Sequence, residues 1–179
     1  MTLPPVFYLA PLLAMLCVAC VVDLRERRIP NWLNLLMLVS GLANAAVWGA
    51  PVALQAALIG VVVGFSLVFV QFALGAVGGG DVKMLAAVGA WVGPWATFEV
   101  FVVASVVGLV IVLTQAISTG RLQKLVSNST VLVLNFASYQ HLGREHVTQT
   151  GQSMRSVDKP LPYAVSVTIA VAVCLALRW

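Results

Sequence analysis

Six apolar runs divide this chain, and their lengths constrain its fold more than any single motif does. They cover residues 5–22, 31–49, 52–77, 82–93, 96–117 and 161–177. A stretch of about 20 apolar residues is what a helix needs to cross a hydrocarbon core of about 30 Å. Only 9% of the chain is charged, against about 25% in an ordinary soluble domain. The expected fold is therefore an all-α integral membrane protein, with six transmembrane helices forming a single polytopic domain over residues 1–179. A polar segment, 118–160, separates the fifth and sixth helices. The first run is expected to stay in place as a helix, because its arginines follow it, whereas a removable signal peptide has its positive charge in front.

The basic residues set an orientation. Arg25, Arg27 and Arg28 follow the first run, and Lys83 follows the third. Arg121, Lys124, Arg144, Arg155 and Lys159 lie between the fifth and sixth. With six spans all of these fall on one side, and only Arg178 falls on the other. The positive-inside bias then puts the N-terminus outside and the start of the fourth helix at the cytoplasmic face. The net charge of +4 is accounted for by these boundary residues, and nucleic acid is not an expected partner. Membrane lipid is. Cys17, Cys20 and Cys174 lie in apolar runs and read as packing residues. His141 and His146 are five apart, the wrong spacing for two ligands on one helix face, so neither a metal site nor a cofactor is expected.

Between the third and fourth runs stands Gly78-Gly79-Gly80-Asp81-Val82-Lys83. Each glycine costs about 1 kcal/mol of helix propensity relative to alanine, so the triplet predicts a flexible loop ahead of the fourth helix. That helix is short: residues 82–93 span roughly 18 Å at 1.5 Å per residue. The loop is thus expected to dip inward and line a hydrated pocket, since non-helical backbone at membrane depth is tolerated only in such places. Asp81 at its mouth could serve simply as a helix cap. An ionisable group near the membrane interior also marks a functional site.

Elimination among the acids leaves one companion for it. Glu26 sits among arginines, Glu99 falls on the outer side, and Glu145 and Asp158 belong to the polar segment. Asp23 and Asp81 remain, both at inner ends of spans. As a bland alternative, Asp23 is a boundary residue beside three arginines; a carboxylate at a helix C-terminus is, however, unfavourable with the helix dipole. Two carboxylates held close share one proton. The ionised member can then activate a water while the protonated one polarises a carbonyl.

Asp23-x-Arg25 with Ile29-Pro30-Asn31, and Gly78-x-Gly80-Asp81-x-Lys83, together resemble the type IV prepilin peptidases, the bacterial GxGD aspartyl proteases. Leu161-Pro162-Tyr163-Ala164 looks like the opening of that family's closing helix. The resemblance implies Asp23 and Asp81 as the catalytic pair, acting near neutral pH without a metal. It implies a prepilin or pseudopilin precursor as substrate, cut at the cytoplasmic face of the bacterial inner membrane. Gly78 and Gly80 would let the loop approach the substrate backbone, Lys83 would tune Asp81 or hold lipid phosphate, and Asn31 would orient Asp23. The large family members carry two Cys-x-x-Cys pairs ahead of the first span and also methylate the new N-terminus. This sequence lacks those pairs and is similar to the short, peptidase-only branch of tight-adherence (Tad/Flp) pilus systems. Two other readings stay open: the same chemistry on a different membrane substrate, and a small transporter or scaffold with two gating carboxylates.

Overall fold

Helix formation follows the apolar runs, but the boundaries shift. In the computed structural model the chain is all-helical, and residues 5–26, 28–49, 52–73, 77–118, 120 and 163–178 are described. They form α1 (Pro5–Glu26), α2 (Asn31–Trp48), α3 (Leu54–Ala73), α4 (Gly79–Ser118) and α5 (Tyr163–Arg178). Arg27, the residues expected to form the polar segment beyond Gly120, and His141 and His146 lie outside the described residues. This is a membrane protein: α3, α4 and most of α1 are long and apolar enough to cross a bilayer, and α5 is a shorter apolar helix. Asn31, Asn34 and Asn44 dilute the apolar character of α2.

One expectation is refined and one needs correcting. The fourth and fifth runs are two helices that meet directly at a kink. They form one element, Gly79–Ser118, broken at Gly93. Gly93 has φ 77° and ψ 176°, a region that only glycine enters without strain. Pro94 follows and cannot supply the amide that would carry a regular helix through. Thr97, buried in the next turn, donates its hydroxyl to the Gly93 carbonyl at 2.6 Å. The correction concerns the glycine triplet. Gly79 and Gly80 are already helical, so α4 begins three residues earlier than expected, and Asp81 lies in its first turn.

The expected connection at Ile29-Pro30-Asn31 is present. Pro30 is extended (φ −62°, ψ 135°), and its carbonyl accepts from the amides of Leu33 and Asn34 at 3.1 and 3.3 Å, starting α2 without a side-chain cap. Gly49, at φ 58°, ends α2 in the left-handed conformation.

Small residues let α3 and the first arm of α4 lie nearly backbone to backbone. A Cβ on Gly60 would run into the Gly89 carbonyl, and one on Gly89 into the Gly60 carbonyl. Gly64, four residues after Gly60, faces the Leu85 carbonyl in the same way. This is the small-xxx-small arrangement by which helices approach in lipid. On its other side the arm packs on α2. Trp91 covers Gly41, and its indole N–H donates to the Met37 carbonyl at 2.8 Å in the buried interior. Leu12 and Leu16 of α1, Met37 of α2, Leu85 and Val88 of α4, and Val167 of α5 belong to one continuous core.

Candidate active site

The end of α1 and the starts of α2, α4 and α5 meet at one end of the bundle. Hydrogen bonds from four different helices define the meeting point. Asp23, in the last turn of α1, is buried with 7% of its surface exposed. Its Oδ2 accepts from the backbone N–H of Ala164 at 3.3 Å, in the first turn of α5. The first-turn amides of a helix have no partner within it, so Asp23 supplies one from 141 positions away in the chain. Among the described residues no hydrogen bond joins Asp23 to Arg25 or Arg28, and both arginines are exposed. A role as a mere partner of those arginines is not what the geometry displays.

Asp81 is partly buried, and its Oδ2 accepts from the Gly78 N–H at 3.0 Å while its own N–H donates to the Gly78 carbonyl at 3.1 Å. That is the reciprocal pattern of a capped helix start. Asp81 thus holds the start of α4 from its third position, and Gly78, not Asp81, is at the N-cap. The same placement brings it within electrostatic reach of Asp23 and of the Tyr163 hydroxyl. Among the described residues no direct hydrogen bond joins the two carboxylates.

The supporting residues divide. Lys83 is exposed and donates from Nζ to Asn31 Oδ1 at 2.9 Å. Asn31 therefore pairs with Lys83, and among the described residues no hydrogen bond joins it to Asp23. Gly78 and Gly80 carry no positive φ. A Cβ on Gly78 would come no closer than 3.5 Å to the Asp81 carboxylate, and one on Gly80 no closer than 3.5 Å to Ile29. Those are ordinary contacts, so neither backbone conformation nor resting packing requires glycine at either position.

Two further residues at this end were given no role from sequence. Asn34 is buried, its Nδ2 donates to the Gly80 carbonyl at 3.1 Å, and its Oδ1 is buried without a hydrogen-bond partner among the described residues. The signal was there: Asn31 and Asn34 are one turn apart at the start of an apolar helix, and polar side chains in such helices mark sites. Tyr163 opens α5, and its hydroxyl is buried and likewise without a partner among the described residues. One turn of α1 before Asp23, Cys20 lies 3.0 Å from the Thr168 hydroxyl, which also donates to the Ala164 carbonyl at 2.7 Å. These contacts fasten α1 to α5 beside the acids. No group of three or more metal-ligating side chains occurs among the described residues.

Comparison with known proteins gives a family. The Type IV leader peptidase family profile matches residues 10–113. The "Type 4 prepilin-like proteins leader peptide-processing enzyme" of Escherichia coli O78:H11 (strain H10407 / ETEC) is 37% identical over 104 residues, covering 54% of this chain and 39% of that relative. The chain thus matches well under half the length of this curated relative. No solved structure gives a significant match.

Proposed function

Because the chain belongs to the type IV leader peptidase family, we propose that it is an aspartyl endopeptidase that removes the leader from prepilin or pseudopilin precursors, with Asp23 and Asp81 as its catalytic pair. One observation carries the assignment of the pair. Asp23 is buried against the first turn of α5, and Asp81, from the first turn of α4, lies within electrostatic reach of it.

The reaction then needs only this chain's carboxylates. The ionised acid takes a proton from water as the water oxygen adds to the carbonyl carbon, and the protonated acid gives its proton to the carbonyl oxygen. The resulting gem-diol collapses. The C–N bond breaks, the departing nitrogen takes the proton that the first acid had collected, and one gem-diol hydroxyl returns its proton to the second acid, leaving a carboxyl product and the starting pair. Gly78 and Gly80 are free of any packing duty in the resting fold, which supports a role in letting the substrate backbone pass close to Asp81.

We read the two arms of α4, 79–92 and 94–118, as separate crossings, giving six spans with α1, α2, α3 and α5. Forty residues of helix would measure about 60 Å unbroken, twice the hydrocarbon core. In this reading the acids face the cytoplasm and the N-terminus lies outside, in the bacterial inner membrane. The test is co-expression with candidate small pilins and mass spectrometry of the pilin N-terminus. The wild type should produce one new N-terminus, without methylation, and Asp81→Asn should leave the precursor intact while accumulating in the membrane. An unchanged precursor with the wild type, or cleavage by the variant, would refute the assignment.

A further inference from the structure

Three glycines lead into Asp81, and glycine has the widest backbone freedom of any residue. The chain approaching this acid therefore has little stiffness of its own. Yet the peptide unit between Gly80 and Asp81 is held at both ends. Its N–H, that of Asp81, donates to the Gly78 carbonyl at 3.1 Å. Its carbonyl, that of Gly80, accepts from Asn34 Nδ2 of α2 at 3.1 Å. Asn34 is 3% exposed and shares the buried face of α2 with Met37 and Gly41. That face already packs on α4 through Trp91, and an apolar side chain at position 34 would extend the same seam. For packing alone an amide is the poorer choice. Its Oδ1 is buried without a hydrogen-bond partner among the described residues, and an unmet buried acceptor costs stability. Turning the amide over would not help: the Gly80 carbonyl can only accept, so the nitrogen must face it.

We infer that Asn34 is a positioning residue for Asp81: by holding the Gly80 carbonyl, its side-chain amide fixes the peptide plane from which the acid projects. This rests on the acid-pair reading above. Asn34 touches no substrate and moves no proton; it acts through the backbone of its neighbour. A helix carbonyl also accepts from the N–H four residues on, so removing the Asn34 donor strands no backbone group in α4. What is lost is the tie between α2 and the turn that carries Asp81. A second bond joins the same two helix ends, from Lys83 Nζ to Asn31 Oδ1 at 2.9 Å. It runs between exposed side chains, on a long flexible stem, and cannot set the acid's backbone as closely. The buried bond acts on the peptide unit of Asp81 itself. Placement matters there because a shift of about 1 Å in a reacting group can cost about 10²-fold in rate.

The test pairs steady-state cleavage of a purified prepilin-type precursor with hydrogen–deuterium exchange, both on the full chain in detergent. The variants are Asn34→Leu, which keeps the shape and drops the donor, Asn34→Ser, which drops it without adding apolar bulk, and Asp81→Asn. Both Asn34 variants should keep KM within about twofold and lose roughly 10- to 10²-fold in kcat. Deuterium uptake should rise in peptides covering 78–84 and stay at the wild-type level in α3 and α5. Asn34→Leu, freed of an unmet oxygen, should melt no lower than the wild type. Wild-type kcat in either Asn34 variant, with the wild type active and Asp81→Asn inactive, overturns this inference alone. So does a fall in kcat accompanied by faster exchange throughout the protein, which would make Asn34 a residue of the general fold. A wild type that cleaves no precursor overturns the acid pair and, with it, the positioning role.

Discussion

Asp23 does two jobs that substitution can separate. Its Oδ2 accepts the Ala164 amide, and its charge is assigned to the chemistry. Asp23→Ala removes both, leaving an N–H buried at the α1–α5 junction without an acceptor at a cost of roughly 1–3 kcal/mol. Asp23→Asn keeps an oxygen in the same place. It exchanges a charge-assisted hydrogen bond for a neutral one, a loss of about 1 kcal/mol. Neither variant can exchange a proton with water or substrate, which costs at least roughly 10²–10⁴ in rate. The two should therefore be alike in cleavage and different in stability. Thermal melting in detergent, read alongside cleavage of a co-purified precursor, resolves the pair: Asp23→Asn should melt near the wild type and Asp23→Ala clearly below it, with cleavage lost in both. Retention of more than a few per cent of wild-type cleavage by Asp23→Asn would refute the chemical role. Equal melting of the two variants would refute the structural one.

The glycines should fall into two classes under alanine substitution. Gly60→Ala or Gly89→Ala drives a Cβ into a facing carbonyl and should lower stability by roughly 1–3 kcal/mol or more, seen as a reduced melting temperature. Gly78→Ala and Gly80→Ala meet only ordinary contacts and should melt at or slightly above the wild type while cleaving precursor more slowly. Loss of stability in the second class, or none in the first, would reverse the assignment. Trp91→Phe removes the donor to the Met37 carbonyl and should cost roughly 1–3 kcal/mol, with cleavage per folded molecule unchanged; a fall in that specific rate would place Trp91 nearer the chemistry than its position suggests.

Much of this architecture is legible in the order of residues, and the exceptions have physical causes. Runs of apolar residues announce helices because lipid leaves the backbone few other options, and Gly93-Pro94 announces a break because neither residue supports a continuous ladder. Hydropathy shows that the apolar run is interrupted there but does not distinguish a sharp kink from a short connection. The start of α4 was misplaced because glycine propensity was weighed without the cap: the Asp81 carboxylate, by accepting the Gly78 amide, draws two glycines into the helix. Gly60-Val-Val-Val-Gly64 was readable as a close-packing face, but nothing in sequence says that Gly89 is what it meets. The pairing of Asn31 with Lys83 is likewise beyond the reach of sequence. It depends on the relative rotation of α2 and α4, which only the packed core decides.

The position of Asp23 raises an electrostatic question that its own helix cannot answer. A carboxylate in the last turn of α1 faces the negative end of that helix, and burial removes the water that would otherwise screen it. The start of α5 supplies what is missing, a free amide and the positive end of a second dipole, both delivered at Ala164. Asp81 has its own solution in the first turn of α4, where a negative charge is favoured. The acids therefore differ in dependence: Asp81 is accommodated by the helix that carries it, whereas Asp23 is accommodated only once the last helix has docked on the first. The matched family segment ends at residue 113, so the contact that stabilises one of its two acids comes from outside it. An ionised Asp23 at the end of α1 and a docked α5 stabilise each other, and the site is complete only when the chain has folded from end to end.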